Sequence, residues 1–305
     1  MQGKISNPAP GGDLSPQPKS GIIWLASFPK SGNTWTRTFL HNLTQILQVG
    51  EAKEQDINEM HRYSAWEIMK ERYKDILGFD PTDEQRGEIA AVRHKVQQQM
   101  ASEGEGMLFV KTHHALVMDR GHTTINTAVT SGAVYIIRNP LDVAISYAHH
   151  MSKSIDEAIS LMAVENMETP LTEKTVYEVY GSWSQHVWSW TRTPHRAIYV
   201  MRYEDMLREP EKYFGGLARH LLFNPDAAQL KQAIELSSFE KLKKQEEAKG
   251  FREKPKQAQS FFRDGTLGQW QTVLSEEQIK RVINDHSEQM KRFGYLTGDG
   301  EPRVG

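Results

Sequence analysis

Four continuous apolar runs, each ending in polar and mostly basic residues, set the rhythm of this chain. The first is Gly21-Ile22-Ile23-Trp24-Leu25-Ala26. The second, Met107 to Val110, ends in Lys111-Thr112-His113-His114, and the third, Ala133 to Ile137, ends in Arg138-Asn139-Pro140. The fourth, Ala197 to Met201, ends in Arg202-Tyr203-Glu204-Asp205. Runs this short and unbroken read as strands buried on both faces. Between them the period becomes helical: Trp35, Phe39, Leu43 and Ile46 mark a helix from Thr34 to Leu47. Residues 51–105 form a charged, helix-prone region expected to pack outside the sheet. Residues 153–193 form another, with Trp183, Trp188 and Trp190 expected in the core. Ser275 and Gln278 make a capping box that opens a last helix, 275–293. Lys241 to Lys256, dense in charge and holding Pro255, reads as a solvated helix end or a mobile loop. Strands alternating with helices predict right-handed crossovers and a parallel sheet. The fold class is therefore α/β: a single domain, 21–296, with a central parallel sheet flanked by helices, a flexible N-terminal tail, 1–20, and a C-terminal tail, 297–305.

Composition narrows the class. A net charge of −2 argues against a general nucleic-acid binder, which would show a basic balance. Without cysteine there can be no disulfide or thiolate metal site, which fits a reducing compartment. No apolar stretch reaches the length of a membrane span, and residues 1–20, rich in Pro, Gly and Ser, lack the apolar centre of a signal peptide. A cytoplasmic enzyme is expected.

Ligands of parallel sheets sit beyond the carboxyl ends of the strands, where all four polar clusters fall. After the first strand, Phe28-Pro29-Lys30-Ser31-Gly32-Asn33-Thr34-Trp35 leads into a helix N-terminus, whose unpaired N–H groups and partial positive charge suit a phosphate-like group. Lys30 adds a point charge. The P-loop order, G-x-x-x-x-G-K-[ST], is missing, because Lys30 precedes Ser31 and Gly32. After the third strand, Pro140 and Asp142 suit the first turn of a helix. Arg138 then stands just outside the helix start, where its fork can clamp a second phosphate, and Ser146 lies two turns along. A ligand with two separate anionic groups would satisfy both places. The plain alternatives are a strand-to-helix turn with an exposed lysine and a structural Arg138–Asp142 pair.

With these residues assembled, the chain, from about 21 to 295, resembles the sulfotransferases that depend on PAPS (3′-phosphoadenosine 5′-phosphosulfate), the cytosolic type, in a bacterial-like form. Residues 28–35 resemble the family's 5′-phosphosulfate loop, usually written YPKSGTTW, and Arg138 to Ser146 resembles its 3′-phosphate motif. Lys111-Thr112-His113 is similar to the family's K-T-H, whose histidine is the catalytic base. Tyr180-Gly181-Ser182-Trp183, with His186-Val187 and Ser189-Trp190, resembles a framework segment. Tyr203 to Met206 and Ser237-Ser238-Phe239 resemble segments that hold the adenine. The C-terminal R-K-G-x-x-G-D-W-K appears as Arg263-Asp264-Gly265 through Gly268 to Trp270-Gln271. Asp264 in place of lysine is expected to weaken attraction for the 3′-phosphate. Asn33 replaces a threonine, a tolerable change where backbone N–H groups do the cradling. The vertebrate dimer signature is not reproduced after Gln271, so the oligomeric state stays open.

The resemblance implies a P-loop-kinase-like sulfotransferase fold and transfer of the sulfuryl group from PAPS to a hydroxyl or amine of a small acceptor, releasing PAP. In it His113 takes the acceptor proton, Lys30 meets charge on the bridging oxygen, Lys111 assists, and Ser146 restrains Lys30 until the acceptor binds. Lys30, Ser31, Gly32, Asn33, Thr34, Trp35, Arg138, Ser146, Tyr203, Ser237, Phe239, Arg263, Asp264 and Gly265 would bind the donor, with Trp35 beside the adenine. No metal is expected, because the strand ends supply no aspartate of the kind that holds Mg²⁺ in P-loop enzymes. Tyr63, Trp66, Tyr147 and Phe251 hint at an apolar or phenolic acceptor, in a pocket built from residues near 51–105, 114–130, 147–175 and 245–262. Two other readings stay open: a nucleotide-kinase-like phosphotransferase, and a nucleotide-binding homologue without catalysis.

Overall fold

A computed structural model describes residues 20–50, 53–103, 106–255 and 257–305. Of the expected N-terminal tail, 1–20, only Ser20 is among them, and it already opens the first strand; Lys256, the end of the charged segment, also lies outside the described residues. The strands are β1 (Ser20–Ser27), β2 (Ser64–Trp66), β3 (Gly106–Thr112), β4 (Met118–Asp119), β5 (His122–Thr123), β6 (Thr130–Ile137) and β7 (Ile198–Arg202). Five of them form one parallel sheet in the order β2-β3-β1-β6-β7, while β4 and β5 pair as a small antiparallel ribbon. The region 51–105 is thus not wholly outside the sheet. It contributes the edge strand β2, whose three residues are too few to show a period.

The continuous apolar runs have a simple cause. Neighbouring residues of β1 face opposite sides, and both sides are covered. Trp24 and Ala26 enter one core layer with Tyr135, Ile137, Trp183 and Trp190. Leu25 enters the other with Phe39, Leu43, Val134, Ile136 and Phe214. The first layer is closed by α4 (Pro140–Met151), α5 (Ile155–Ala163), α6 (Trp183–Thr191) and α12 (Glu276–Arg292). The second is closed by α1 (Asn33–Val49), α8 (Pro210–His220) and α9 (Ala227–Leu236). The remaining helices are α2 (Lys70–Leu77), α3 (Arg86–Ser102), α7 (Tyr203–Arg208), α10 (Phe239–Lys249) and α11 (Trp270–Val273). Among the described residues, no helix is long and apolar enough to cross a membrane.

Trp183 and Trp190 are core residues, whereas Trp188 is 47% exposed and lies under the Arg192 guanidinium. Residues 297–305, expected as a tail, fold back onto the domain. Arg303 N–H donates to the Tyr295 carbonyl, Leu296 bridges Pro302, and Asn139 Nδ2 donates to the Arg303 carbonyl at 2.8 Å. The stretch therefore seals the start of α4.

The register aligns the carboxyl ends: Ser27 pairs with Ile136, Ala26 with Thr112 and Ile137 with Arg202. Lys30, His113, Arg138 and Tyr203 thus leave the sheet along one edge. At the far end of the chain, Ser275 Oγ accepts the Gln278 N–H while Gln278 Oε1 accepts the Ser275 N–H. Ser275→Ala removes this box and should lower stability by about 1 kcal/mol, read as a lower urea midpoint at unchanged slope.

Candidate active site

From Ser27 the chain turns through Phe28 to Gly32 before α1 begins at Asn33. Two of these residues are left-handed, Lys30 at φ 67° and Gly32 at φ 107°. A Cβ on Gly32 would come within 2.7 Å of Tyr203 Cδ2, so the loop can close on Tyr203 only with glycine. Lys30, with a Cβ, is disfavoured there by about 1–2 kcal/mol. Arg138 holds it by donating from Nη1 to the Lys30 carbonyl at 3.1 Å. Asn33 Nδ2 donates to the Leu25 carbonyl at 2.7 Å, tying the helix start to the strand. Among the described residues, three buried donors around this loop have no partner: Ser31 Oγ, Trp35 Nε1 and Arg138 Nε. Buried polar groups are seldom left unsatisfied. An anion at the helix start would find donors waiting.

Arg138 stacks on Tyr203, its Cζ 4.4 Å from the ring centroid, and Tyr203 meets the edge of Trp35 at 5.7 Å. Ser146 lines the cavity from α4, below Asp142. Asp142 is not paired with Arg138. Its two oxygens accept the N–H groups of Gly268 and Trp270 at 2.9 and 3.1 Å, which clips the C-terminal glycine loop to α4. That loop brings Arg263 and Asp264 to the cavity wall. Gly265 lies against the Phe239 ring, where a Cβ would come within 2.8 Å of Cγ. Ser237 is not brought into the cavity: its buried hydroxyl turns back to the carbonyls of Ala233 and Ile234, and Ser238 takes the place on the wall.

Beyond β3 the two histidines separate. His114 is fully buried, its Nδ1 accepts the Val179 N–H at 3.0 Å, and its Nε2 faces Glu67 at 3.4 Å. His113 lines the cavity, with Nδ1 2.7 Å from the Ser27 carbonyl. A carbonyl can only accept, so Nδ1 carries the proton and Nε2 keeps its lone pair. Burial pushes His113 well below the ordinary imidazole value, and the Lys111 charge pushes the same way. The ring is therefore neutral at physiological pH, with Nε2 unprotonated.

Lys111 lies over the Trp66 ring and 3.6 Å from Glu253. Glu253 also takes a bidentate pair of bonds from Arg37, at 2.7 and 2.8 Å, and Arg37, a residue of α1, is fully buried. Lys30 Nζ sits 3.9 Å above the Phe261 ring. Burial, then Arg138 and Lys111, lower the Lys30 ammonium to about 7. The shared cavity has a volume of about 630 Å³. Trp66 and Tyr147 line it, as expected. Tyr63 does not, being sandwiched between His41 and Phe109, and Phe251 backs Phe261 and Phe262 from behind. No residue of 114–130 reaches the wall, whereas Met167 to Tyr180 supplies much of it. Glu253, Glu178 and Phe261 belong to no motif, and charge pattern alone gave no reason to bury a carboxylate at 253.

For Glu253, burial alone would raise the carboxyl, but Arg37 and Lys111 hold it down to about 2, from 4.5. A depressed carboxyl stabilises the fold above its unfolded value and loses that stability as pH falls through the folded one. The stability gap between wild type and Glu253→Gln should be widest above about pH 5 and narrow steadily as pH falls toward about 2, by urea unfolding across pH. A gap that is constant with pH would contradict the ion pair.

The comparisons with known proteins agree with this geometry. The sulfotransferase domain family matches residues 21–294. The chain is similar to flavonol 3-sulfotransferase of Flaveria bidentis, 24% identical over 284 residues, which covers 85% of this chain and 78% of that protein. It is also similar to cytosolic sulfotransferase 10 of Arabidopsis thaliana, 22% identical, covering 91% and 80%. Retinol dehydratase in complex with androsterone and the inactive cofactor PAP has the same fold, with a TM-score of 0.60 at 20% identity over 88% of this chain and 80% of that one. The chain belongs to the sulfotransferase family, as a PAPS-dependent enzyme.

Proposed function

We propose that PAPS lies along the carboxyl edge of the sheet, its 5′-phosphosulfate on residues 28–35 and its 3′-phosphate between Arg138, Ser146 and Arg263. The adenine would rest among Trp35, Tyr203 and Phe239. The acceptor, a small molecule with a hydroxyl, enters beside His113. The observation that carries the reading is the His113 Nδ1–H bond to the Ser27 carbonyl. It fixes the tautomer that offers Nε2 to a hydroxyl proton. In the transfer, the acceptor O–H proton passes to Nε2 as its oxygen bonds to sulfur, and the bond from sulfur to the bridging oxygen breaks in line. Lys30 meets the charge that develops on the bridging oxygen of the departing PAP, and Lys111 assists. A lysine poised near neutrality is stabilised as a cation by that charge. With these cations in place, the transfer needs no metal.

The apolar wall from Trp66 to Tyr180 supports an apolar or phenolic acceptor, and androsterone in the retinol dehydratase complex is of that kind. A cytoplasmic setting accords with relatives named cytosolic. Asp264 lies near Arg138 and Arg263 and offsets part of their charge.

His113→Ala should cost on the order of 10²-fold or more in kcat with PAP affinity unchanged, measured by sulfate transfer from PAPS to a panel of phenols. His114→Ala should instead lower stability. The assignment fails if His113→Ala keeps full turnover while His114→Ala, still folded, loses it.

A further inference from the structure

Residues 297–305 stay out of the cavity, yet they hold two of the segments that deliver cations to it. The stretch returns on itself: Leu296 bridges Pro302, the Glu301 carbonyl accepts the Thr297 N–H at 2.8 Å, and the Arg303 N–H donates to the Tyr295 carbonyl at 2.8 Å. Two contacts then reach outward. The first is to Asn139, the residue after Arg138. Its Nδ2 donates to the Arg303 carbonyl at 2.8 Å, while its Oδ1 accepts the Leu141 N–H at 3.1 Å and so caps α4. The Asn139 N–H donates to Glu204 Oε1 at 2.8 Å, and Glu204 also accepts the Tyr295 hydroxyl at 2.9 Å, at the root of the returning stretch. Asn139 is fully buried, so its amide depends on the Arg303 carbonyl for a partner. The second contact is to Gly268, whose φ is +71°. A Cβ at Gly268 would stand 3.0 Å from Val304 Cγ2, so Val304 packs directly on the glycine backbone. Gly268 belongs to the loop that Asp142 clips to α4 and that begins at Arg263. Within that loop Gln269 Oε1 accepts from Arg263 Nη2. Two successive residues thus brace two arginines from distant parts of the chain: Arg303 holds the Arg138 segment and Val304 the Arg263 loop.

We propose that residues 302–305 act as a strap that fixes the separation of Arg138 and Arg263, and thereby makes the donor site select a 3′-phosphate over a 3′-hydroxyl. This rests on the donor placement proposed above and adds two positioning residues, Asn139 and Val304, that touch neither substrate. An arginine fork binds phosphate through bonds of fixed geometry, so a phosphate shared by two forks is sensitive to small shifts of either. The loop that would take the 5′ end of the donor is anchored elsewhere, by Asn33 on the Leu25 carbonyl. Loosening the strap therefore weakens the 3′ end of the site and spares the 5′ end.

The test titrates PAP and adenosine 5′-phosphate, which differ only in the 3′-phosphate, into the full chain. Wild type should bind PAP on the order of 10²-fold more tightly, the worth of charge-assisted hydrogen bonds from two arginines. Asn139→Ser keeps an oxygen to cap α4 but loses the donor to the strap. Val304→Ala keeps that bond and removes the packing on Gly268. Each should lower the preference for PAP about tenfold, while adenosine 5′-phosphate binds within about twofold of wild type. A strap that only stabilises the fold would lower the urea midpoint and leave the ratio of the two affinities unchanged. A preference that persists in either folded variant, or an equal loss for both nucleotides, would overturn the proposal and leave the donor placement standing. Failure of wild type to bind PAP, or to prefer it, would overturn the donor placement as well. The wild-type titrations are run first, so that the two failures are told apart.

Discussion

Four cations converge on one partly closed cavity, and much of the site is organised around that excess of charge. Lys30, Lys111, Arg138 and Arg263 all line it. Only Lys111 has a carboxylate partner among the described residues, through Glu253. Burial, then repulsion from Arg138 and Lys111, brings Lys30 down to about 7. A ligand with two anionic groups relieves that tension in a way water cannot. In the proposed transfer the same tension would be used, with Lys30 meeting the negative charge that develops on the leaving group.

The loops that carry these cations are held by carboxylates placed behind them. Asp142 accepts from Gly268 and Trp270, and Glu246 accepts from Phe261 and Phe262 at 2.7 and 2.8 Å. Glu204 accepts from Asn139 at 2.8 Å and from the Tyr295 hydroxyl, and Glu178 accepts from His113. Each strand-end or loop segment is thus pinned through its backbone N–H groups, and of the pinned residues His113, Phe261 and Phe262 line the cavity. The same carboxylates put negative charge behind a positive site, which lessens the repulsion between the cations without filling the cavity.

Much of this was legible in the sequence where local chemistry dictates structure. The four apolar runs became the inner strands β3, β1 and β6 and the edge strand β7, and the runs are most complete in β1 and β6, where both faces are covered. Ser275 with Gln278 capped the last helix because the two side chains and two N–H groups satisfy each other locally. Lys30, His113 and Arg138 share a cavity because a parallel sheet delivers its strand ends to one edge. What escaped depends on contacts between distant parts of the chain. The strand Ser64–Trp66 is a strand only because Phe109 to Lys111 offers it a ladder. Glu253, in a stretch that looked solvated, is turned into the site because it pairs with Arg37, 216 positions away in sequence. Ser237 and Ser238 are adjacent, and the helix start alone decides which of them faces the ligand.

Lys30, lowered to about 7 by burial and then by Arg138 and Lys111, would be recharged by the donor. Titration of PAP into the protein at about pH 8, in two buffers of different ionisation enthalpy, tests this directly. A nearby anion raises the lysine's value, so the complex should take up a proton, and affinity should fall as pH rises from about 7 toward 9. In Lys30→Met the uptake should vanish. Binding of PAP with no proton uptake, or with uptake that persists in Lys30→Met, would contradict the account.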